Sequence, residues 1–285
     1  MTRHVTVGLD NSPESLAAAH WAARDAGLRG ADLLLVHVEE WPLPVAVAMP
    51  TVTRDDHRTW ADRLLESAAG ELRATHAGLR ISTRRVSGRP PAALAVEADD
   101  AELLVLGSRG LGTVMGALMG SVGLATIGAT RTPVVVVRAE GNVGGHAPDK
   151  DVVVGVDLHR PADPVLAFAF DEAARRGCLL RAVHAWKLPL VLGHAADARA
   201  EGGREAAAAL GAALEPWRRE HPSVEVVERS VMGSGAQVLV DEAADAGLVV
   251  VGRHVRHAPL VPHIGHVAHA TMHHCRAPVA VVAHD

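Results

Sequence analysis

Glu102-Leu103-Leu104-Val105-Leu106-Gly107-Ser108-Arg109-Gly110-Leu111-Gly112-Thr113-Val114-Met115-Gly116-Ala117-Leu118-Met119-Gly120-Ser121-Val122-Gly123 is the stretch from which the fold can be read. Leu103 to Leu106 is a short apolar run, as expected of a strand covered on both faces. Gly107, Gly110, Gly112, Gly116 and Gly120 follow, and Ser121 then opens a segment with helical apolar spacing up to Thr130. Glycine lets the backbone take positive φ and lets a ligand approach main-chain N–H groups closely. A loop of this kind that runs into a helix N-terminus suits an anion, because the first helical N–H groups lack partners and the helix dipole favours negative charge. The stretch reads as a phosphate cradle, with a ligand-free flexible loop as the plain alternative.

Spacing decides what kind of cradle it is. A Walker loop needs Gly-Lys-Ser/Thr, and no lysine precedes Lys150. The dinucleotide pattern G-x-G-x-x-G fails because Met115 stands where its third glycine belongs. What fits is Gly107-x2-Gly110-x9-Gly120-Ser121. This resembles the G-2x-G-9x-G-(S/T) nucleotide motif of the universal stress protein family.

Outward from the cradle, the chain shows one pattern twice. Val5-Thr6-Val7-Gly8-Leu9-Asp10 recurs as Val152-Val153-Val154-Gly155-Val156-Asp157, and Leu103–Gly107 recurs as Leu248–Gly252. Leu33–Val38, which carries His37, recurs around His184 and Ala185, and Pro133–Val137 recurs as Pro278–Val282. The offset is 147 residues at Val5 and Val152 and 145 at Leu103 and Leu248, a domain-sized period that marks a duplication. The Gly- and Pro-containing stretch 138–150 between the copies reads as a linker. The expected domains are 1–138 and 151–285. In each, strands alternate with helices, which predicts an α/β fold with a mostly parallel sheet covered on both faces. In the first copy Ser12 caps a helix with Pro13 at its first position, running to about Gly27 with Leu16, Ala19 and Ala23 inward. A Pro- and Val-rich loop over 42–53 precedes a helix over Arg54–Thr75, with Trp60, Leu64, Ala68 and Leu72 on one stripe. A strand over Arg80–Val86, a short helix ending near Asp99, the cradle strand with its helix, and a last strand from Pro133 complete the copy.

Composition excludes several functions. Net charge is −5, so bulk electrostatics favour neither nucleic acid nor an anionic membrane. With five Trp, two Phe and no Tyr, base-stacking platforms are not expected. Cys178 and Cys275 suggest no disulfide framework. No signal peptide precedes the first strand and no apolar run reaches the ~18 residues of a membrane span, so a soluble, cytoplasmic protein is expected.

In open parallel sheets ligands sit outside the carboxyl ends of the strands, where strand order reverses. Asp10 ends the first strand and Gly107 the cradle strand; if those strands are neighbours both face the same crevice, where a carboxylate suits ribose hydroxyls and the main chain of Val38 can read an adenine edge. The plain alternative for Asp10 is a helix-capping or loop residue. Residues 3 to 137 resemble one universal stress protein domain, including Gly8-Leu9-Asp10-Asn11-Ser12-Pro13 and Trp21-Ala22. The resemblance implies two tandem doubly wound domains, each a five-stranded parallel sheet in the order 3-2-1-4-5, related by a pseudo-twofold. It also implies ATP binding, with Mg2+ or Mn2+ held through the phosphates. Asp10 would contact the ribose and adenine side and Val38 the adenine, with Leu9 and Leu106 beside them. Gly107, Arg109, Gly110, Gly120, Ser121 and Val122 would line the phosphates. The last strand of each half would pair antiparallel with the other, and whole chains can assemble further into a homodimer.

The second copy departs from the motif. Gly252 and Gly265 survive, but Val255 replaces Gly110, His266 replaces Ser121, and Pro259 and Pro262 enter the loop. Histidine accumulates instead, at 254, 257, 263, 266, 269, 273 and 274, with His266, His269 and His273 on one helical face. A zinc site or a pH switch is one reading; a solvated polar face with His274 packed inside is the expectation. Cys275 is expected to pack as a small apolar residue. The leading functional reading is an ATP-binding stress-response regulator or sensor of adenine nucleotide with no catalytic residues and at most slow ATP hydrolysis. The alternatives are an ATP hydrolase or phosphoryl or adenylyl transferase on the same fold, and a non-catalytic scaffold.

Overall fold

A computed structural model of the chain describes residues 4–40, 53–108, 120–139, 150–160, 163–188, 196–255 and 264–285. The chain divides into two compact units, Met1–Val143 and Gly144–Asp285.

In the first unit the elements are β1 (His4–Gly8), α1 (Pro13–Arg29), β2 (Asp32–Glu39), α2 (Arg54–Thr75), β3 (Ile81–Ser87), α3 (Pro90–Asp99), β4 (Leu103–Ser108), α4 (Ser121–Ala129) and β5 (Val134–Arg138). All strand pairings within it are parallel and run β3-β2-β1-β4-β5. Helix α1 packs on β1, β4 and β5, α2 on β2 and β3, and α3 against α4. Val5, Val7, Leu33, Leu35, Leu103, Leu104 and Val105 are fully buried, as continuous apolar strands between helical layers should be. Each such side chain contributes about 1.5–3 kcal/mol.

Local chemistry sets the helices. Ser12 Oγ accepts the Ser15 N–H at 3.1 Å and Pro13 opens α1. The helix passes the expected end at Gly27 and stops at Arg29, because the left-handed residue is Gly30, with φ 63°. Its inward face is Ala18, Ala19, Ala22, Ala23 and Ala26, whereas Leu16 is half-buried. These alanines let the helix sit close to the sheet. A reciprocal Thr53–Asp56 capping box opens α2. Its buried stripe is Ala61, Leu64, Leu65, Ala68, Ala69 and Leu72; Trp60 is 39% exposed and lies at its margin. Strand β3 starts at Ile81 rather than Arg80, whose guanidinium pairs outward with Asp32.

The second unit repeats the plan with β6 (Val152–Gly155), α5 (Asp163–Arg176), β7 (Leu180–Trp186), α6 (Ala196–Glu220), β8 (Val226–Met232), α7 (Gly235–Glu242), β9 (Leu248–His254), α8 (His266–His274) and β10 (Val279–His284). Its parallel order is β8-β7-β6-β9-β10. One buried ion pair recurs at the 147-residue offset. Asp25 meets Arg29 Nε at 2.6 Å in α1, and Glu172 meets Arg176 Nη2 at 2.9 Å in α5.

Candidate functional site

Strand order reverses between β1 and β4 in the first unit, and the expected ligand residues gather at the carboxyl ends of these strands. Leu9 is buried; its N–H donates to Val36 O at 2.8 Å. Asp10 is exposed, and its Oδ1 accepts the Ser12 N–H at 3.0 Å and the Ser12 hydroxyl. That turn orients the carboxylate and sets the cap of α1 at once, so the capping role and a ligand role are compatible. Val38 is half-buried near the end of β2, in register with Val86 of β3. Leu106 is buried and its Cδ2 lies 3.0 Å from where a Cβ on Gly8 would stand. Arg109 and Gly110 lie outside the described residues.

Gly107 is glycine for a packing reason. A Cβ there would stand 2.6 Å from the Glu14 carbonyl carbon and the Ser15 nitrogen, so the first turn of α1 crosses directly over β4. Gly120 is the opposite case. Its φ is −56°, so the turn does not require glycine, and a Cβ would meet nothing within 4 Å among the described residues. It caps α4 with no side-chain hydrogen bond, and Ser121 and Val122 in the first turn are exposed. The opening N–H groups of α4 therefore have no side-chain cap from Gly120.

Sequence reading did not single out a histidine pair. His37 Nδ1–H donates to Leu9 O at 2.8 Å, and His184 Nδ1–H donates to Val156 O at 3.0 Å. Each ties the end of the second strand in its unit to the residue before the site aspartate. Among the described residues His37 Nε2 is buried without a hydrogen-bond partner, and its ring contacts the His57 ring and, edge-on, the Trp60 ring. Burial depresses the His37 pKa, outweighing the opposing pull of the Leu9 carbonyl. The signal available in the sequence was a histidine recurring inside an apolar strand at the duplication offset.

At the equivalent place in the second unit lies a cavity of about 460 Å3, lined by Gly155–Arg160, Val183–Ala185, Gly252, His254, Gly265–Ala268 and His284, among others. Asp157 Oδ1 accepts the His159 N–H at 2.9 Å, the counterpart of the Asp10–Ser12 turn. His266 and His269 are exposed, as expected, but the packed histidine is His273, 7% exposed, and not His274, which is exposed like Ala129, its counterpart. On the short helix α8 it is the residue one place earlier that is buried. His269 and His273 rings lie 4.2 Å apart. Cys275 is buried and forms no disulfide. His257, Pro259, Pro262 and His263 lie outside the described residues. Among the described residues no group of three His, Cys, Asp or Glu side chains is placed to hold a metal ion, and no helix is long and apolar enough to cross a membrane.

Comparison with known proteins agrees with this geometry. The pattern of the universal stress protein family matches twice, over residues 1–138 and 150–283. The universal stress protein Rv2005c of Mycobacterium tuberculosis is 34% identical over 97% of this chain and 96% of its own length. Universal stress protein Rv2623 of the same species is 33% identical, over 97% and 95%. The crystal structure of a universal stress protein from Archaeoglobus fulgidus superposes with a TM-score of 0.74, covering 99% of both chains at 18% identity, a likeness of fold. With two copies of the family pattern covering nearly the whole chain, the protein belongs to the universal stress protein family as a tandem two-domain member.

Proposed function

We propose that the first unit binds ATP, and that the chain is a cytoplasmic stress-response regulator that reads adenine-nucleotide state. Working domain boundaries are 1–138 and 151–285. The observation that carries the reading is the bare N-terminus of α4. Gly120 supplies no cap, a side chain there would meet nothing within 4 Å among the described residues, and the helix follows the G-2x-G-9x-G-S spacing directly. A helix start whose capping residue offers no side-chain acceptor, next to a strand-order reversal, suits a polyphosphate. Ser121 and Val122 would offer their N–H groups with those of Gly107, Arg109 and Gly110. Asp10, oriented by Ser12, would take the ribose; the Val38 main chain would meet the adenine, with Leu9 and Leu106 forming the floor. Mg2+ or Mn2+ would be held by the phosphates rather than by a protein cluster.

Denaturing the purified protein and identifying any released nucleotide by mass is the first test. Titration calorimetry should then give one ATP per chain, with binding weakened about 100-fold by Gly120→Val. Unchanged ATP affinity in that variant would remove the assignment. Sustained multiple turnover of ATP by the purified chain would replace the regulator with an ATP hydrolase.

A further inference from the structure

The peptide unit that joins Leu9 to Asp10 lies just past the end of β1, and two side chains hold its polar groups. Its carbonyl accepts His37 Nδ1–H at 2.8 Å, and its N–H donates to Ser15 Oγ at 3.3 Å. A peptide unit is planar, so its orientation sets the direction in which Asp10 leaves the strand. The same bond ties His184 to Val156 O at 3.0 Å, ahead of Asp157, although two residues on the chain carries Trp186 in place of Glu39. A carbonyl can only accept, so Nδ1 of His37 carries the hydrogen and the neutral ring has a lone pair at Nε2. That atom is buried with no hydrogen-bond partner among the described residues, and His37 as a whole is 6% exposed. A second proton would place a cation and an unmet donor in the same buried spot. The ring contacts those of His57 and Trp60 on α2, with centroids at 5.8 and 5.3 Å, and Trp60 reaches solvent. Burial is the largest influence on His37 and opposes its charge, as does His57 on α2; the Leu9 carbonyl, Asp10 beyond β1 and Glu39 on β2 favour it. Arg54 and Arg58 of α2 and Arg85 of β3 offset Glu39.

We propose that His37 is a positioning residue for the ligand of the first unit, and that acid weakens binding by charging its ring and releasing the Leu9–Asp10 peptide. The inference rests on the first-unit reading, in which Asp10 takes the ribose. The neutral ring holds the Leu9 carbonyl and so aims Asp10. The charged ring moves past Trp60 toward water, the carbonyl loses its donor, and Asp10 loses one of the bonds that orient it. Ligand and proton therefore oppose each other: a ligand that needs Asp10 in place keeps the ring neutral, and a proton on the ring costs ligand affinity by the same factor. The sign follows from the depressed pKa of His37. Binding is at full strength at neutral pH and weakens only below about 6.5, the ordinary histidine value, as pH falls toward the folded one.

The test uses the whole chain and ATP, by titration calorimetry at about pH 7.5 and 5.0, in the wild type, His37→Leu and His37→Asn. Asparagine places an amide N–H where Nδ1–H stood and does not titrate. At the higher pH His37→Leu should bind ATP about 5-fold more weakly, and His37→Asn should bring binding back to within about 2-fold of the wild type. On going to the lower pH the wild type should lose at least about 3-fold more affinity than His37→Asn; the comparison subtracts the titration of the ATP phosphates, which both proteins share. In the ligand-free chain, amide hydrogen exchange over residues 4–12, corrected for its chemical pH dependence, should quicken at the lower pH in the wild type and not in His37→Asn. Should His37→Leu fail to fold, the comparison of the wild type with His37→Asn decides by itself. Equal pH responses of those two proteins in either measurement, or wild-type affinity in a folded His37→Leu, would overturn the proposal. Failure of the first-unit reading looks different: no ATP bound by the wild type at the higher pH would remove that reading and this inference with it.

Discussion

The two units solve the same assembly problem with opposite chemistry at equivalent positions. Glu39 ends β2 fully buried, and three arginines converge on it. Arg54 Nε lies at 3.0 Å, Arg85 Nη1 at 3.1 Å and Arg58 Nε at 3.8 Å. Burial alone would raise the Glu39 pKa, but hydrogen bonds from Arg54 and Arg85 and the charges of Arg54 and Arg58 hold it below the usual carboxylate range. In the second unit the same position is Trp186, and α6 lies on its indole through Gly202 and Gly203, whose Cβ positions fall 3.0 and 3.3 Å from ring atoms. An ionic clamp docks α2 where an aromatic plate docks α6. The glycine at the cradle strand differs in the same manner: backbone crowds Gly107, whereas a histidine ring and Val165 crowd Gly252. A duplicated fold keeps its strand plan and re-solves each contact with what the local sequence offers.

The largest effect that would break this comparison is at the two glycines. Gly107→Val should cost more than about 3 kcal/mol in urea unfolding, because peptide atoms of α1 cannot move aside. Gly252→Val should cost roughly half as much, since side chains can rotate away. Equal losses would mean that the helix over β4 is as yielding as a side chain.

Next is Gly120→Val, which should reduce ATP affinity about 100-fold, or about 2.7 kcal/mol, while changing stability by less than about 0.5 kcal/mol. Gly265→Val should leave ATP binding untouched. Ser121→Ala should cost only about 1 kcal/mol of binding, the worth of one neutral hydrogen bond. A large stability loss in Gly120→Val would show that the position is structural.

Glu39→Gln should cost about 2 kcal/mol, less than a fully buried pair, because Arg54 and Arg58 are partly exposed and can rehydrate. The sign with pH follows from the depressed pKa. The Glu39 contribution is present above the ordinary carboxylate pKa and is lost as pH falls through the lower folded value. Acid unfolding of Glu39→Gln should therefore be less steep than that of the wild type.

The smallest effect belongs to His37. Its folded pKa is depressed, so the unfolded chain binds the proton more readily. Its contribution is complete above about pH 6.5, the ordinary histidine value, and is lost as pH falls from there toward the folded value. Melting temperatures measured from pH 7.5 to 5.5 should fall less in His37→Gln than in the wild type. An identical slope in both would place the titrating group elsewhere.

The sequence by itself determined the duplication, the alternation of strands and helices, the caps at Ser12 and the neighbouring Pro13, and the extent of α2. These depend on apolar period and local hydrogen bonding, which a few neighbouring residues set. It also placed Asp10 and Gly107 at strand ends, which follow from the same pattern, while the β1–β4 pairing in the structure makes those strands neighbours. Only the tertiary structure decided why particular residues are needed. Gly107 is held to glycine by a helix some ninety residues earlier in the chain, whereas at Gly120 neither the backbone angle nor any contact among the described residues requires glycine. Which of two adjacent histidines turns inward on α8, how Glu39 finds its arginines, and how the Val255 N–H is drawn into the sheet likewise depend on contacts between residues far apart in sequence. Close packing and hydrogen-bond satisfaction are settled when distant segments meet, and no local pattern encodes which segments those will be.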